Sequence, residues 1–187
     1  DLVLQALKKI EELVKAENLL EAEMIAEQLL KVSNHVNAMQ LYGLVLFRLH
    51  KYEKAIEVLT NSFELDPNNA ETYNNLALCH LHSGNTEQAL TLLQDAISIN
   101  PDNGNFYNNM GLVFRTMGKV VEAVDTFWQA LTFDSKDTRI WQNLGSAYGQ
   151  LKSLENAQDC FQAALAIDPN NLASKVDLAY CYHLMGE

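Results

Sequence analysis

The sequence predicts an all-α fold: a row of antiparallel helix pairs stacked side by side. Three observations carry that prediction. The first is a pattern that returns every 34 residues in a chain of 187. Tyr73, Tyr107 and Trp141 share one place in it, Leu76, Met110 and Leu144 another, and Ala89, Ala123 and Ala157 a third. The second is a small residue at one recurring place, Gly43, Ala77, Gly111, Gly145 and Ala179. The third is punctuation at fixed intervals, with Gly84 and Gly118 in mid-unit and Pro67, Pro101 and Pro169 near the end. A period of this size marks a stack of like supersecondary units, none of which can bury its apolar face alone.

Each recurring residue has a physical reason. A bulky side chain on the first helix of a unit would hold its partner away, so the small residues mark close helix approach. Ala55, Ala89, Ala123 and Ala157 do the same on the second helix. Glycine between the two helices supplies a left-handed residue that ends the first without steric cost. Proline after the second helix stops it, because it lacks the N–H of the next helical bond and restricts its predecessor. The aromatic set Tyr73, Tyr107, Trp141, Phe127 and Phe161 recurs at the repeat period and reads as packing.

Taken in order, residues 1–35 form a degenerate first unit, with one helical stripe through Leu2, Ala6, Ile10 and Leu13 and another through Ala22, Ala26 and Leu29. Its spacing to the next unit is 33, not 34, so a turn near Asn34 is one residue short. Units follow at 36–69, 70–103, 104–137 and 138–171, and residues 172–187 supply a half unit. The whole of 1–187 reads as one repeat domain. The start at Asp1 without methionine and the stop at Gly186 and Glu187 read as the ends of a fragment of a longer protein. Solenoid ends normally carry polar caps. The half unit instead carries Val176, Leu178, Ala179, Tyr180, Leu184 and Met185, so end-to-end self-association is expected there.

These residues resemble the tetratricopeptide repeat, a 34-residue helix–turn–helix with an aromatic, a Leu-Gly pair, a second aromatic, an alanine, a phenylalanine and a proline in order. Trp141, Leu144 and Gly145, Tyr148, Ala157, Phe161 and Pro169 fill that pattern. Other units depart from it, with His80 at the place of Tyr148, Leu93 at that of Phe161 and Ser135 at that of the proline. The resemblance implies a right-handed superhelical solenoid whose first helices line a concave groove.

On that reading the groove carries Gln40 and Arg48, then Asn74 and Asn75, then Asn105, Asn108, Asn109 and Arg115, then Arg139, Gln142 and Asn143. Its charges nearly cancel, with Arg48, Arg115 and Arg139 against Glu71 and Asp177, and the acids Glu53, Glu57, Glu87, Asp95, Glu122, Asp125, Glu155 and Asp159 fall on second helices. Asn75, Asn109 and Asn143 are in phase, each preceded by another amide. A carboxamide offers a donor and an acceptor together, so such a column can pair with the main chain of an extended peptide. The competing reading is that these asparagines hydrogen-bond within or between helices, or cap turns, since asparagine in mid-helix needs some reason. The column is similar to the asparagine ladder in the superhelical arm of the protein O-linked N-acetylglucosamine transferase. The two-carboxylate clamp of chaperone-binding repeats is not expected, because only Asn109 and the charge of Arg139 match it.

Composition narrows the function. A net charge of −11 opposes a nucleic-acid backbone or an anionic membrane as partner. No apolar run approaches the roughly 18 residues of a membrane span. Three cysteines, Cys79, Cys160 and Cys181, have no metal-ligand spacing and read as buried thiols of a reducing, cytoplasmic setting. His80 and His82 diverge on one helix, and there is no phosphate-binding glycine loop or nucleophile elbow. No cofactor, metal or catalytic residue is expected within this chain. The expected function is a protein interaction module that holds an extended peptide or partner helix. The alternative is a substrate-presenting or regulatory arm of a larger enzyme, such as a glycosyltransferase.

Overall fold

A computed structural model describes residues 2–186; Asp1 and Glu187, where the two cut ends were expected, lie outside the described residues. Every regular element among them is an α-helix: α1 Leu2–Lys15, α2 Leu19–Val32, α3 Val36–Arg48, α4 Tyr52–Leu65, α5 Ala70–His82, α6 Thr86–Ile99, α7 Gly104–Thr116, α8 Val120–Phe133, α9 Thr138–Gln150, α10 Leu154–Ile167 and α11 Leu172–Met185. No helix among the described residues is long and apolar enough to cross a membrane. The chain forms two compact units, Asp1–Ile99 with α1 to α6 and Asn100–Glu187 with α7 to α11. Within each, helices pair as antiparallel hairpins and the pairs pack against their neighbours.

The helices start and stop where local chemistry dictates. Asn69, Asn103, Asp137 and Asn171, spaced by the repeat, sit in extended backbone and accept N–H bonds from the first turns of α5, α7, α9 and α11. These donors have no partner within their own helices. His35 stands at the equivalent place before α3 and makes no side-chain cap bond. First helices end in a left-handed residue at Glu17, His50, Gly84, Gly118, Lys152 and Gly186. The glycine expectation therefore holds at Gly84 and Gly118, while three other turns force a side chain into the same backbone state.

Close approach within a hairpin is equally direct. A Cβ on Gly43 would meet Leu59 Cδ2 at 2.5 Å, one on Gly111 would meet Phe127 Cε1 at 2.5 Å, and one on Gly145 would meet Phe161 Cε1 at 2.6 Å. In the first unit Ile10, Leu46 and Leu59 are fully buried, with Tyr42 and Cys79 in the same core. In the second, Phe127, Ile140, Leu144 and Ala147 form the centre, and Phe161 packs with Cys181. The recurring aromatics do more than fill space. Tyr73 donates its hydroxyl to the Pro67 carbonyl at 3.2 Å, and Trp141 donates its indole N–H to Ser135 O at 2.9 Å. Each thereby ties the loop before its helix to the helix itself.

Candidate functional site

In the unit Asp1–Ile99 the first helices of the three hairpins line one cleft of about 800 Å³. Helix α1 gives Leu4, Leu7, Lys8 and Glu11, α3 gives Asn37, Gln40, Leu41 and Leu44, and α5 gives Glu71 and Asn75. The α1 residues are missing from the groove expected on sequence. The signal was present: a shift of 33 places Leu4, Leu7, Lys8 and Glu11 on Asn37, Gln40, Leu41 and Leu44. The cleft has leucines on two helices and charge of both signs at its edge. Such a surface can take an apolar side chain while polar groups fix the ligand's main chain.

The other expected residues of this unit have different roles. Gln40 Nε2 donates to Thr72 Oγ1 at 2.9 Å and so joins α3 to α5. Asn74 is 2% exposed, enclosed between helices. Arg48 donates to Val14 O at 3.0 Å and pairs with Glu17. It satisfies a carbonyl at the end of α1 and faces the left-handed Glu17, so it holds the turn between α1 and α2 and is not offered to a ligand. Of the amides expected here, Gln40 and Asn75 line the cleft and are half-buried, and Gln40 spends its donor on Thr72.

In the unit Asn100–Glu187 the amides form a relay. Asn143 Nδ2 donates to Asn108 Oδ1 at 2.9 Å, and Asn108 Nδ2 donates to Asn109 Oδ1 at 3.3 Å. Asn108 and Asn109 are 4% and 6% exposed. The amides thus bond to one another within α7 and between α9 and α7. Asn143 remains half-buried, its orientation set by the bond to Asn108. Gln142 Nε2 donates to Asn171 Oδ1 at 3.1 Å, linking α9 to the cap of α11. Asn105 is half-buried in the first turn of α7, with its backbone N–H on Asn103.

The two arginines of this unit differ. Arg139 is clamped to its own helix cap, with Nη2 2.6 Å from Asp137 Oδ2. Burial alone would raise the Asp137 carboxyl, but hydrogen bonds from the Arg139 side chain and backbone N–H outweigh it and hold the group below its ordinary value. The same hydrogen bond raises the Arg139 guanidinium. Arg139 is therefore a cap partner. The Arg115 side chain has no hydrogen bond or ion pair to a described residue, and burial pulls its guanidinium below the ordinary value. A half-buried cation without an acid beside it is electrostatically ready for a carboxylate. A second concavity of about 410 Å³ lies between α9, α10 and α11, bordered by Ser146, Gln150, Asp177 and Tyr180.

The outer helices carry acid. Glu53, Glu57, Glu87, Asp95, Glu122, Asp125, Glu155 and Asp159 are all exposed. The three thiols are free and buried. Burial pushes those of Cys79 and Cys160 up to about 12, with Asp159 adding to the effect at Cys160. Neither is a nucleophile at neutral pH.

Comparison with known proteins places this geometry. Residues 68–136 and 138–171 match family models described as tetratricopeptide repeat. Residues 15–96 match the model described as anaphase-promoting complex, cyclosome, subunit 3. Among curated proteins, none matches the sequence. Among solved structures, a thermophilic TPR protein in Thermus thermophilus superposes with a TM-score of 0.88 at 22% identity, over 97% of this chain and 99% of that one. YrrB, described as a TPR protein with an unusual peptide-binding site, gives 0.64 at 19% identity, over 91% of this chain and 89% of its own. The first TPR of Spaghetti, solved bound to an HSP90 peptide, gives 0.60 at 18% identity, over 63% of this chain and 94% of its own. At these identities the likeness is one of fold.

Proposed function

The chain belongs to the tetratricopeptide-repeat family, and from that premise we propose that it is an interaction module that holds an extended peptide against the first helices of its hairpins. The observation that carries this reading is the cleft framed by α1, α3 and α5, open to solvent beside Leu4, which is 66% exposed. Leu4, Leu7, Leu41 and Leu44 form an apolar floor for one or two ligand side chains. Asn75 offers its donor and acceptor to the ligand backbone, and Lys8, Glu11 and Glu71 set its local charge. In the second unit Asn143, steadied by Asn108, and the unpaired Arg115 give a separate polar face suited to a peptide carbonyl and a carboxylate. That two neighbours in fold are described with a peptide or a peptide-binding site supports the same class of ligand.

The test is a random peptide library displayed on phage and selected against the chain, with winning peptides titrated by fluorescence anisotropy. Leu41→Glu and Asn75→Ala should each weaken binding, by about tenfold or more for the buried charge, compared per folded molecule because Leu41 also packs against the core. Glu57→Ala on the outer face of α4 should leave binding as it was. Selection of no peptide, or equal losses from Glu57→Ala and Leu41→Glu, would overturn the reading.

A further inference from the structure

In the unit Asn100–Glu187 one residue of each second helix reaches across to the first helix of the next hairpin. Trp128 of α8 lies edge-on to Trp141 at 5.7 Å and donates its indole N–H to Tyr148 Oη at 3.0 Å. One repeat on, Gln162 of α10 donates to Tyr182 Oη at 3.3 Å. Two repeats earlier, in the unit Asp1–Ile99, the places of Trp128, Trp141 and Tyr148 are held by Thr60, Tyr73 and His80. Thr60 does not cross, because its hydroxyl donates to Ile56 O at 2.7 Å within α4. His80 is left with a buried Nδ1 that makes no hydrogen bond. Burial also pulls its imidazole below the ordinary value, so the ring is neutral at pH 7 and keeps one nitrogen as an acceptor.

The consequence is a cavity of about 330 Å³ between α4, α5 and α6, in mid-chain, with the helices on every side of it in place. Phe63, Tyr73, Leu76 and Leu92 give it apolar walls, and Thr60 and His80 border it. Phe63 and Tyr73 meet nearly at right angles at 5.2 Å, a firm aromatic corner. The cavity is separate from the cleft of α1, α3 and α5. Glu71 and Asn75 serve the cleft, whereas Tyr73, Leu76 and His80 lie about half a turn around α5. Gln88 and the exposed carboxylate of Asp95 complete the border, and no lysine or arginine shares it. We propose that this cavity binds a small indole-bearing cation of the tryptamine class, its ring between the apolar walls, its N–H toward His80 and its ammonium toward Asp95. The second unit supplies the precedent with its own Trp128, and the lone carboxylate sets the sign of the substituent.

The probe is tryptamine, titrated into the 15N-labelled whole chain and followed by amide shifts. Saturable shifts at Phe63, Tyr73, His80 and Leu92 are expected. Thr60→Trp, which rebuilds the arrangement of Trp128, should abolish them and raise the thermal melt, so that lost binding is not lost fold. His80→Phe should weaken binding about fivefold. Tryptamine should bind about two- to fivefold tighter than uncharged 3-methylindole, an advantage that Asp95→Asn removes. A peptide selected for the cleft should bind the Thr60→Trp chain as it binds the parent, so the two sites succeed or fail separately. No saturable shifts, or binding unchanged by Thr60→Trp, overturns the proposal. So does equal binding of indole-3-acetate, which reverses the charge. Tighter binding of N-acetyltryptophanamide than of tryptamine also overturns it, since a tryptophan of a polypeptide would then be the occupant.

Discussion

Replacing Gly111 with alanine should destabilise the Asn100–Glu187 unit, although alanine is the better helix former. The new Cβ would lie 2.5 Å from Cε1 and 2.7 Å from Cδ1 of Phe127, where ordinary contact begins at 3.4 Å. Phe127 is fully buried and has no room to turn aside. Overpacking of this kind costs about 1–3 kcal/mol, and the exchange of glycine for alanine in a helix returns about 1 kcal/mol. The net loss expected is about 1 kcal/mol. The hairpin of α5 and α6 shows the remedy, because Ala77 there stands with Leu93 at the equivalent places, both buried. Phe127→Leu alone opens a gap and should cost about 1 kcal/mol. The double variant should return to within about 0.5 kcal/mol of the parent, an interaction energy of about 1.5 kcal/mol. Both tryptophans, Trp128 and Trp141, belong to this unit, so urea unfolding followed by indole fluorescence reports it directly. Strict additivity of the two changes, or a raised midpoint for Gly111→Ala, would refute the close-approach argument.

Three further outcomes follow from the same geometry. His35→Asn should stabilise the first unit by about 1 kcal/mol in a thermal melt, because His35 stands where Asn69 caps the next first helix and its buried Nδ1 has no partner. Ser62→Ala should also stabilise, by about 1 kcal/mol, since the Ser62 hydroxyl is buried without a partner where Ala96, Ala130 and Ala164 stand in other repeats. Asp137→Asn should flatten the acid limb of stability while keeping the cap of α9. The folded carboxyl of Asp137 is held below its ordinary value, so its contribution is complete above the unfolded value and is lost as pH falls through the folded one. Urea midpoints from neutral pH into the acid range should therefore fall more steeply for the parent than for the variant.

Much of the fold was legible because repetition averages out local ambiguity. One glycine in a helix says little, but Gly43, Gly111 and Gly145 in phase mark a contact, and each does face a large side chain. The left-handed turn was legible at Gly84 and Gly118 and hidden at Glu17, His50 and Lys152, since side chains that carry no αL preference occupy it. The caps at Asn69, Asn103, Asp137 and Asn171 recur at the repeat period, yet one Asn or Asp beside a loop does not announce which helix it caps. The amides were harder. Sequence phase places Asn74 and Asn75, or Asn108 and Asn109, on one helix, but a single step of about 100° decides which is enclosed by the next helix. Arg48 and Arg139 could not be assigned from sequence either. Their partners, Glu17 and Asp137, are set by a turn and a cap that the charge pattern does not reveal.

The most direct measurement is a pair of amide NMR spectra of the 15N-labelled chain, with and without a selected peptide. The account predicts that the largest shifts fall on first-helix residues of the clefts, with the side-chain NH2 of Asn75 or Asn143 among them. Shifts confined to the outer acids of the second helices, at Glu53, Glu57 and Glu87, would contradict it.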